Sequence, residues 1–313
     1  MLSRLFGKGS KGSSKGNSEA APLSPALTKS ILDAIGLKAI PVMPQSAHRL
    51  FLLTTNPKAE AHDFIEVIES DESLSARILK IGNSVYFDRG RGCKSIPDAV
   101  GIIGMAELRC LLHANTLSDL FPSRHRLRTQ LWANDVATGV TAKLLAQRVA
   151  PAKCEQAFLA GLIHDIGKLL LLQRHQDTYE KIARRVAAKG MEFREVEIEE
   201  YPFDHTEVGQ LIAEKWLFSS ELIAAIRNHH MPWSDLAPQT LPWFVKAADT
   251  LSHSLGLGHG PDLAPLRAKF RENVNETWEA LNIHPEERST IENAIRNAYD
   301  SECEIYNSWS PPR

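Results

Sequence analysis

From Ala26 onward, apolar residues recur at helical spacing along almost the whole chain, and this periodicity limits the possible folds more than any other feature. In the segment 61–69, for example, Phe64 and Ile68 lie one turn apart. A repeat of about 3.6 residues places such side chains on one face of a helix, whereas a strand needs alternation. The stretch MEFREVEIEE alternates briefly but is too short and isolated to build a sheet, so we interpret 190–204 as an irregular link. The sequence therefore predicts an all-α fold.

Breaks in the helical pattern divide the chain into a tail, two blocks and an extension. Residues 1–24 are basic and rich in Gly, Ser and Lys, and we expect this tail to be disordered. An N-terminal block over 26–122 and a second block over 129–256 are predicted to form one two-part helical bundle, 26–256, followed by a C-terminal helical extension over 263–313. The predicted helices are 61–69, 72–82, one that starts after Ser95 and stops at Gly104, one from about 105, and then 130–149, 153–163, 168–189, 205–217, 220–230, 240–256, 264–282 and 285–306.

The composition is that of a globular protein and offers no strong signal for nucleic acid or membrane. Lys and Arg total 36 against 38 Asp and Glu, so the net charge of -2 creates no overall field that would attract a polyanion. No apolar run approaches the ~20 residues of a membrane span, and the N-terminus lacks the apolar core of a signal peptide. The four cysteines have no paired spacing and are typical of thiols in a reducing compartment, so we expect a cytoplasmic protein.

The segment LIHDIGK, residues 162–168, carries the strongest chemical signal. His164 and Asp165 place an imidazole beside a carboxylate, a combination that suits a divalent metal. Lys168 follows three residues later, where an ammonium group suits a phosphate oxygen. A His-Asp pair alone is more often a hydrogen-bonded turn, and a lysine at a helix start is equally often exposed. The pair therefore becomes significant only if other ligands join it.

Further candidate ligands lie on the inward faces of later helices. In 220–230, His229 and His230 continue the face of Leu222 and Ile226, so both point toward the core. Similarly, Asp249 comes one turn after an apolar residue of its helix, and His205 lies in the first turn of another. A single inward histidine is more often a satisfied core residue. Because buried imidazoles and carboxylates must be hydrogen-bonded, paired or metal-bound, several of them together favour a common site.

The order of these residues resembles the metal ligands of the HD phosphohydrolases, particularly the HD-GYP branch. A His-Asp pair is followed by a single His, a His-His pair and an Asp. In that superfamily a further His lies about 30 residues upstream of the pair, and Asn134 occupies the matching position here. The Gly-Tyr-Pro loop is also missing, since Met231-Pro232-Trp233 follows the His-His pair.

Three stretches of the N-terminal block indicate which family within this superfamily the chain resembles. They are IPVMPQSAHRLFLL, IEVIESDESLSARILKIGNSVYF and SIPDAVGIIGMAELRCLL. Together with the LWAN and HDIGK segments, they resemble the HDOD family, the output-domain relatives of HD hydrolases, over about residues 38–255. The resemblance implies a helical domain in bacterial signalling and gene regulation. Most members of that family have lost enough ligands to be regarded as non-catalytic.

The resemblance also implies a metal-ligand set. A first ion would use positions 134, 164, 165 and 249, and a second would use Asp165 as a bridge to three histidines. We expect one divalent ion, Mn, Fe, Ni or Zn, because the second set is complete, whereas an amide at position 134 is a weak ligand and makes a second ion doubtful. The predicted metal ligands are His164, Asp165, His205, His229, His230 and Asp249.

The sequence and the resemblance leave two functions open. The favoured one is a non-catalytic regulatory protein that binds other signalling proteins and keeps a residual metal or nucleotide site. The alternative is a metal-dependent phosphohydrolase that acts on a nucleotide or cyclic dinucleotide, with Asp165 and Lys168 as catalytic residues and Lys168 on the phosphate. Asn134 and the missing Gly-Tyr-Pro loop favour regulation, because hydroxide formation and in-line displacement are harder without a second metal. A purely structural metal site is a third possibility.

Overall fold

The computed structural model describes residues 19–307 apart from positions 37, 57, 89, 91, 123 and 124, and over that part of the chain it is all-α. The predicted fold class is therefore confirmed. The N-terminal block contains six helices, and the tail residues 1–18 lie outside the described part. These helices are α1 (Pro25–Ile35), α2 (Gln45–Thr55), α3 (Ala61–Glu69), α4 (Glu72–Gly82), α5 (Ile96–Ile103) and α6 (Met105–Leu120).

Side-chain caps start several of these helices where the sequence predicted. The Asp71 carboxylate accepts a hydrogen bond from the backbone N–H of Leu74, 3.0 Å away, at the start of α4. Ser95 does the same for Asp98 at the start of α5, at 3.2 Å. A side chain that accepts from one of the first free N–H groups stabilises a helix start by about 1 kcal/mol. The predicted bounds 61–69 and 72–82 are confirmed.

Ten further helices follow, together with three short 3-10 turns at Pro151–Lys153, Trp233–Asp235 and Pro261–Leu263. The helices are α7 (Arg126–Val149), α8 (Cys154–Ile163), α9 (Ile166–Arg174), α10 (Gln176–Lys189), α11 (Phe193–Glu200), α12 (His205–Lys215), α13 (Ser220–Asn228), α14 (Leu241–Leu255), α15 (Ala264–Ala280) and α16 (Pro285–Asn307). None of the helices in the described part of the chain combines the length and apolar character that crossing a bilayer requires.

The prediction of one helix over 168–189 was wrong, since the chain breaks at His175 between α9 and α10. The backbone of His175 leaves the helical region, with φ −133° and ψ 52°. Its ring Nε2–H donates to the carbonyl of Ala34 at 3.0 Å, and the neighbouring Arg174 Nε donates to Ile35 at 3.0 Å. These bonds tie the end of α1 to the break, a tertiary contact that helical periodicity does not encode.

The prediction of an irregular link over 190–204 was also wrong, because α11 lies within it. A capping box starts the helix: the backbone N–H of Glu192 donates to the Glu195 carboxylate at 2.7 Å. Phe193 and Val196, three residues apart, are both buried. The short alternating pattern hid this helical spacing, and the capping box was the available signal.

Close helix crossings at glycine position the turn that carries His164 and Asp165. A Cβ atom on Gly161 of α8 would lie 2.8 Å from the backbone of Gly139 on α7, so the two helices can touch only because both residues are glycine. Gly167 of α9 lies even closer to α12, since its Cβ would be 2.0 Å from the carbonyl oxygen of His205. These contacts fix the His-Asp turn against the first residue of α12.

The N-terminal block packs on the second block through apolar contacts and a few hydrogen bonds. Phe51 of α2 lies 5.1 Å from Phe218, measured between ring centroids. The indole N–H of Trp216 donates to the carbonyl of Pro41 at 3.0 Å. Buried side chains of the described helices form one continuous apolar cluster that includes residues of both blocks and the extension. The blocks therefore share a core instead of meeting at a polar seam.

Candidate metal centre

Three helix ends and the middle of α14, which carries Asp249, bring all six predicted ligands to one place in the second block. His164 and Asp165 form the turn between α8 and α9, and His205 is the first residue of α12. The predicted helix 220–230 is shorter than expected: α13 ends at Asn228, and the two histidines follow it directly. They still point inward. Of the six side chains, His230 is partly exposed and the others are buried.

The Asp165 carboxylate lies at the centre of this cluster. Its Oδ1 is 3.1 Å from Nε2 of His205 and 3.7 Å from Nε2 of His229, and its Oδ2 is 3.3 Å from Nε2 of His164. The Nε2 atom of His164 lies 3.5 Å from Oδ1 of Asp249. The remaining histidine joins through its own Nε2, 3.2 Å from that of His205. These separations are those between neighbouring ligands on one small ion, whose metal–ligand bonds are about 2.0–2.2 Å.

Three of the imidazoles are oriented by hydrogen bonds from their other ring nitrogen. Nδ1–H of His164 donates to the carbonyl of Gly161 at 2.7 Å, and Nδ1–H of His229 donates to that of Ile226 at 2.9 Å. For His205 the acceptor is a carboxylate, that of Glu197, at 2.6 Å. Each bond directs the Nε2 atom toward Asp165. Partners of this kind fix the tautomer and the ring orientation of metal-ligating histidines.

The chemistry of the cluster fits a bound cation. Four of its buried atoms make no hydrogen bond of good geometry and contact only other members of the cluster or His253, namely His164 Nε2, His229 Nε2, Asp165 Oδ1 and Asp249 Oδ1. Leaving a buried polar atom unsatisfied costs about 1–3 kcal/mol, so four of them in one place call for a shared partner. Two overlapping groups have ligand atoms close enough to hold an ion, His205 with His229 and His230, and His164 with Asp165 and His229.

Electrostatics divide the histidines into two protonation states. Burial lowers the pKa of His205, but the carboxylates of Glu197 and Asp165 outweigh burial and raise that pKa to about 9. The pKa of His164 is raised in the same way by Asp165 and Asp249. Burial, together with the nearby charge of His164, lowers the pKa of His229 to about 3. A metal would therefore displace protons from His164 and His205 when it binds.

Lys168 is neither exposed nor free to meet a ligand. Its side chain is buried, its ammonium pairs with Asp165, and it lies 4.8 Å from the ring centroid of Phe193. Burial opposes the charge, but the carboxylates of Asp165 and Glu197 outweigh it and raise the pKa of Lys168. The ammonium thus remains charged and neutralises the central carboxylate.

Position 134 carries an amide, which is a weak ligand, and its neighbour Asp135 approaches the cluster. Asn134 is buried on α7, and its Nδ2 has no hydrogen-bond partner. Asp135, which the sequence analysis did not single out, has a carboxylate oxygen 3.8 Å from Nδ1 of His164. Burial raises the pKa of Asp135 well above its usual range, which favours the neutral acid. Nothing in the sequence separates this Asp from an exposed one.

The sequence analysis missed Glu197 and His253. Glu197 is buried and accepts three hydrogen bonds, two from the backbone N–H and ring Nδ1 of His205 and one from the hydroxyl of Tyr179. In the sequence it belongs to the acidic run EVEIEE, which looks solvated. His253 lies 3.2 Å from Asp249, measured from Nε2 to Oδ1. Its spacing of four residues from Asp249 was a usable signal.

The cluster has almost no open space around it. The cavity that touches it measures about 10 Å³, room for about one water molecule, and its walls include Lys168, Phe193, His253 and Phe270. Larger clefts of about 520 and 460 Å³ lie on the described surface, but none of the six predicted ligands lines them. A cavity of about 10 Å³ has no room for a nucleotide.

Comparison with protein families identifies the domain to which most of these helices belong. The HDOD domain family matches residues 40–232, more than half of the chain. The matched segment includes the His-Asp turn, His205 and the two adjacent histidines. The chain therefore belongs to the HDOD domain family.

Individual relatives are more distant. An uncharacterized protein of Treponema pallidum (strain Nichols) is 26% identical over 215 residues, which make up 68% of this chain and 42% of the relative. A solved structure of a candidate signal transduction protein from Marinobacter aquaeolei VT8 has a TM-score of 0.70 and 20% identity, and the match covers 90% of this chain and 61% of that one. A candidate phosphohydrolase from Shewanella amazonensis SB2B has a TM-score of 0.66 and 21% identity, with coverage of 90% and 98%. The chain thus spans less than half of the curated relative, and the structural likeness is one of fold.

Proposed function

We propose that this protein is a regulatory HDOD protein whose second block binds one divalent ion, Mn, Fe, Ni or Zn, without using it for hydrolysis. Asp165, His205, His229 and His230 would hold the ion, with His164 and Asp249 beside them. The observation that carries the proposal is the combination of convergent buried ligands and a cavity of about 10 Å³. The positive charge of the ion would hold together the separate parts of the fold that carry the ligands.

Support for the metal comes from buried ligand atoms that make no hydrogen bond of good geometry. The unsatisfied atoms of His164, His229, Asp165 and Asp249 face one another, and the hydrogen bonds at Nδ1 already orient two of these imidazoles. Ligands held in place in this way lose little side-chain entropy when an ion binds. A metal bound only by the folded chain stabilises the fold by mass action.

Support for a non-catalytic role comes from the surroundings of the cluster. Lys168 is paired with Asp165 and is covered by Phe193, so its ammonium does not project toward solvent where a phosphate would arrive. Position 134 contributes an amide in place of an imidazole. A phosphoryl substrate also needs far more room than one water molecule, and in-line displacement needs a route for water and for the leaving group.

Hydrolysis assays on the wild type and Asp165→Ala test the catalytic part of the proposal. Protein loaded with Mn²⁺, Zn²⁺, Fe²⁺ or Ni²⁺ is incubated with bis-p-nitrophenyl phosphate, cyclic dinucleotides and common nucleotides. We expect turnover by the wild type to match that of Asp165→Ala, at the level of the buffer control. Robust hydrolysis by the wild type that disappears in Asp165→Ala would overturn the non-catalytic role.

The second candidate function is a metal-dependent phosphohydrolase, and one observation favours it. The two oxygens of Asp165 face different histidines, with Oδ1 toward His205 and His229 and Oδ2 toward His164, as a carboxylate bridging two ions would. In that case Asp165 and Lys168 would belong to the catalytic machinery, and a cyclic dinucleotide or nucleotide would be the substrate. The same assays distinguish the two functions.

The partners we propose are other signalling proteins, bound mainly through the N-terminal block. Val42 and Val85, both in that block, are 90% and 100% exposed. Large apolar side chains left in water are common at sites of protein contact, although single ones also occur on ordinary surfaces. The four cysteines are all free, which fits the proposed cytoplasmic location.

A further inference from the structure

Three arginines gather at the C-terminal end of α14, away from the proposed metal ligands. Arg267 and Arg271 of α15 both donate from Nε to the carbonyl oxygen of Ser254, at 3.3 and 3.1 Å. Arg296 of α16 donates to the next carbonyl, that of Leu255, at 3.2 Å. Within the described part of the chain, none of these guanidinium groups pairs with a carboxylate, so positive charge is concentrated at this helix end.

Capping of α14 accounts for only part of this charge. The C-terminal end of a helix is equivalent to roughly half a negative elementary charge, whereas each guanidinium brings a full positive one. Arg267 also lies in the first turn of α15, where the helix dipole is positive and repels a cation. That turn contains no acidic residue, and no side chain caps it. Burial and the charges of Arg271 and Arg296 accordingly lower the pKa of Arg267. An anion would relieve this repulsion.

A small cavity lies beside Arg267 and has room for one tetrahedral oxyanion. It measures about 100 Å³, whereas one water molecule takes up about 30 Å³ of liquid. The terminal nitrogens of Arg267 make no hydrogen bond within the described chain, and a guanidinium with free donors binds two phosphate oxygens at once. No carboxylate lines the cavity, whose walls are Gly256, His259, Gly260, Leu263, Ala264 and Arg267.

The loop between α14 and α15 adds further donors to this cavity. The Nδ1 atom of His259 is buried and has no hydrogen-bond partner. The backbone N–H groups of Gly258, His259 and Gly260 donate to no acceptor in the described chain. At Gly256, where φ is 71°, a Cβ atom would lie 3.1 Å from the side chain of Arg267, so glycine lets the guanidinium lie against the loop. Free N–H groups in turns of this kind are common anion ligands.

One acidic residue lies close to the loop but is already engaged. The Asp262 carboxylate is beside Gly260, where it accepts a hydrogen bond from Gln130 at 3.2 Å and lies 3.7 Å from a guanidinium nitrogen of Arg126. Its charge is therefore balanced from the other side of the loop, and the cavity keeps its positive character.

A larger cleft of about 460 Å³ adjoins the small cavity, since Gly256, His259 and Gly260 line both. This volume is typical of small-molecule sites, which combine a few polar groups with aromatic or apolar walls. An aromatic ring can stack on a nucleobase, and a carboxylate can accept hydrogen bonds from ribose hydroxyls. The walls of the cleft supply an aromatic ring, a carboxylate, an amide and a hydroxyl, from Tyr299, Asp300, Gln130 and Thr129.

We propose that this cleft binds a nucleoside monophosphate, with the phosphate group between Arg267, His259 and the start of α15 and the base against Tyr299. The small cavity holds one phosphate group, which is why the monophosphate is the class of ligand that fits. Arg271 and Arg296 add positive charge that attracts it. The site shares no residue with the proposed metal ligands, so the inference goes beyond the proposed function and does not depend on a bound ion.

Isothermal titration calorimetry of the full chain tests the proposal. The protein is stripped of metal with a chelator, which is then removed by dialysis. The probes are AMP, GMP, CMP and UMP, with adenosine and inorganic phosphate for comparison. We expect at least one nucleotide to bind about tenfold more tightly than either comparison probe. Arg267→Gln should weaken that binding by about tenfold or more, because a charged donor to the phosphate is lost.

Ala264→Glu is a second variant, and it leaves the arginines that cap α14 in place. An acidic residue at the first position of α15 favours the helix, so this variant should fold. Its carboxylate should nevertheless repel the phosphate and weaken nucleotide binding by about tenfold or more. Arg148→Gln is the matched control for loss of charge, since Arg148 lies at the far end of α7 and pairs with Glu287. It should bind the nucleotide like the wild type.

Tyr299→Leu tests the part of the cleft assigned to the base. Loss of the ring should weaken nucleotide binding by about fivefold or more. A wild type that binds none of the four nucleotides would overturn the proposal, and so would binding that is unchanged in Arg267→Gln and Ala264→Glu. Inorganic phosphate bound as tightly as the best nucleotide, or full binding by Tyr299→Leu, would overturn the assignment to a nucleotide. Because the protein is metal-free, each of these results leaves the proposed metal site untouched.

Discussion

Glu197 shows how one buried carboxylate can set the geometry of a site to which it contributes no ligand. It accepts hydrogen bonds from both the backbone and the ring of His205, at 2.9 and 2.6 Å. The ring bond holds Nε2 toward Asp165 and raises the basicity of that nitrogen. Hydrogen-bond partners of metal ligands are commonly worth about a ten- to hundredfold change in metal affinity.

We therefore predict that Glu197→Gln weakens Zn²⁺ binding at the cluster by about tenfold or more, because the ring of His205 loses its charged acceptor. Competition with a chromophoric chelator measures the change. Glu199→Gln is the matched control, since Glu199 lies on the same helix and pairs with Arg185 at the surface. Equal affinities in the wild type and Glu197→Gln would show that the carboxylate does not position the ligand.

A second residue-scale prediction concerns pH. His113 of α6 is buried against Phe51, and burial lowers its pKa to about 3, with Arg109 adding to the effect. Because this pKa lies below the unfolded value, the unfolded chain binds the extra proton, and stability is lost as the pH falls below about 6.5. Between pH 7 and pH 5 this one group should cost about 2 kcal/mol.

Urea unfolding of the wild type and His113→Gln at the two pH values measures that contribution. The variant should lose less stability on acidification, by about 2 kcal/mol, whatever its stability at pH 7. His62→Gln provides the exposed control and should follow the wild type. Parallel losses in the wild type and His113→Gln would mean that other groups cause the acid sensitivity.

Among individual residues, the sequence predicted those whose side-chain type alone indicates metal binding. The His-Asp turn and the later histidines could be found because imidazoles on apolar helix faces are unusual. Glu197 and Asp135 could not be found, because a carboxylate in an acidic or polar stretch gives no sign that it is buried. Only the packing of α11 against the start of α12 makes Glu197 a partner of His205.

At the scale of helices, glycines decide how closely the elements that carry the ligands approach. Gly167→Ala would place a Cβ atom 2.0 Å from the carbonyl oxygen of His205. Backbone cannot move aside as a flexible side chain does, so α9 and α12 would have to separate. We predict a loss of about 1–3 kcal/mol in the free energy of unfolding, accompanied by weaker metal binding.

Gly101→Ala is the matched control. Gly101 lies within α5, and a Cβ atom there would meet nothing within 4 Å. Replacing this glycine should stabilise the protein by about 0.5–1 kcal/mol, because alanine loses less backbone entropy in a helix. Chemical denaturation of both variants makes the comparison. A Gly167→Ala protein as stable as the wild type would show that the crossing is not tight in solution.

Helix existence followed from the sequence better than helix breaks did. The caps at Asp71, Ser95 and Asp204 each act where a polar residue precedes an apolar run. The break at His175 could not be predicted, since it depends on hydrogen bonds to the end of α1, some 140 residues earlier in the chain. α11 was missed for a different reason, namely that its capping box was present but a short alternating pattern was given more weight.

At the scale of the whole molecule, the extension covers the site. Phe270 of α15 stacks on His253, and Lys269 of the same helix pairs with Glu192 and Glu195 of the capping box of α11 at 3.3 and 2.8 Å. The surroundings of the metal ligands therefore contact two covering helices, α11 and α15, and a change at the ligands can reach both. We predict that removing the metal increases hydrogen exchange in α11 and α15 and leaves exchange in α3 and α4 of the N-terminal block unchanged.

Hydrogen-exchange mass spectrometry of metal-loaded and chelated protein checks this coupling. The helices α3 and α4, which lie away from the cluster in the N-terminal block, serve as the internal reference. Exchange that changes only at the ligating residues would mean that the ion stabilises its immediate surroundings alone, and that the covering helices do not respond to it. Allosteric coupling requires two states that the ion distinguishes.

The overall fold could be predicted because helical periodicity and the family motifs agree over most of the chain. The way the blocks share a core could not, since that core arises from contacts such as Phe51 with Phe218, which are distant in sequence. The closure of the site by the extension was equally hidden. Nothing in the sequence of α15 links Phe270 to a histidine on α14.

The central claim is that the second block holds a divalent ion through Asp165, His205, His229 and His230. The most direct test is elemental analysis of protein purified without chelator and without a histidine tag, combined with thermal unfolding before and after chelation. We predict near one equivalent of Mn, Fe, Ni or Zn in the wild type, a lower melting temperature after chelation, and loss of both effects in His205→Gln. Metal-free wild-type protein whose melting temperature is unmoved by chelator or by added Zn²⁺ would contradict the account.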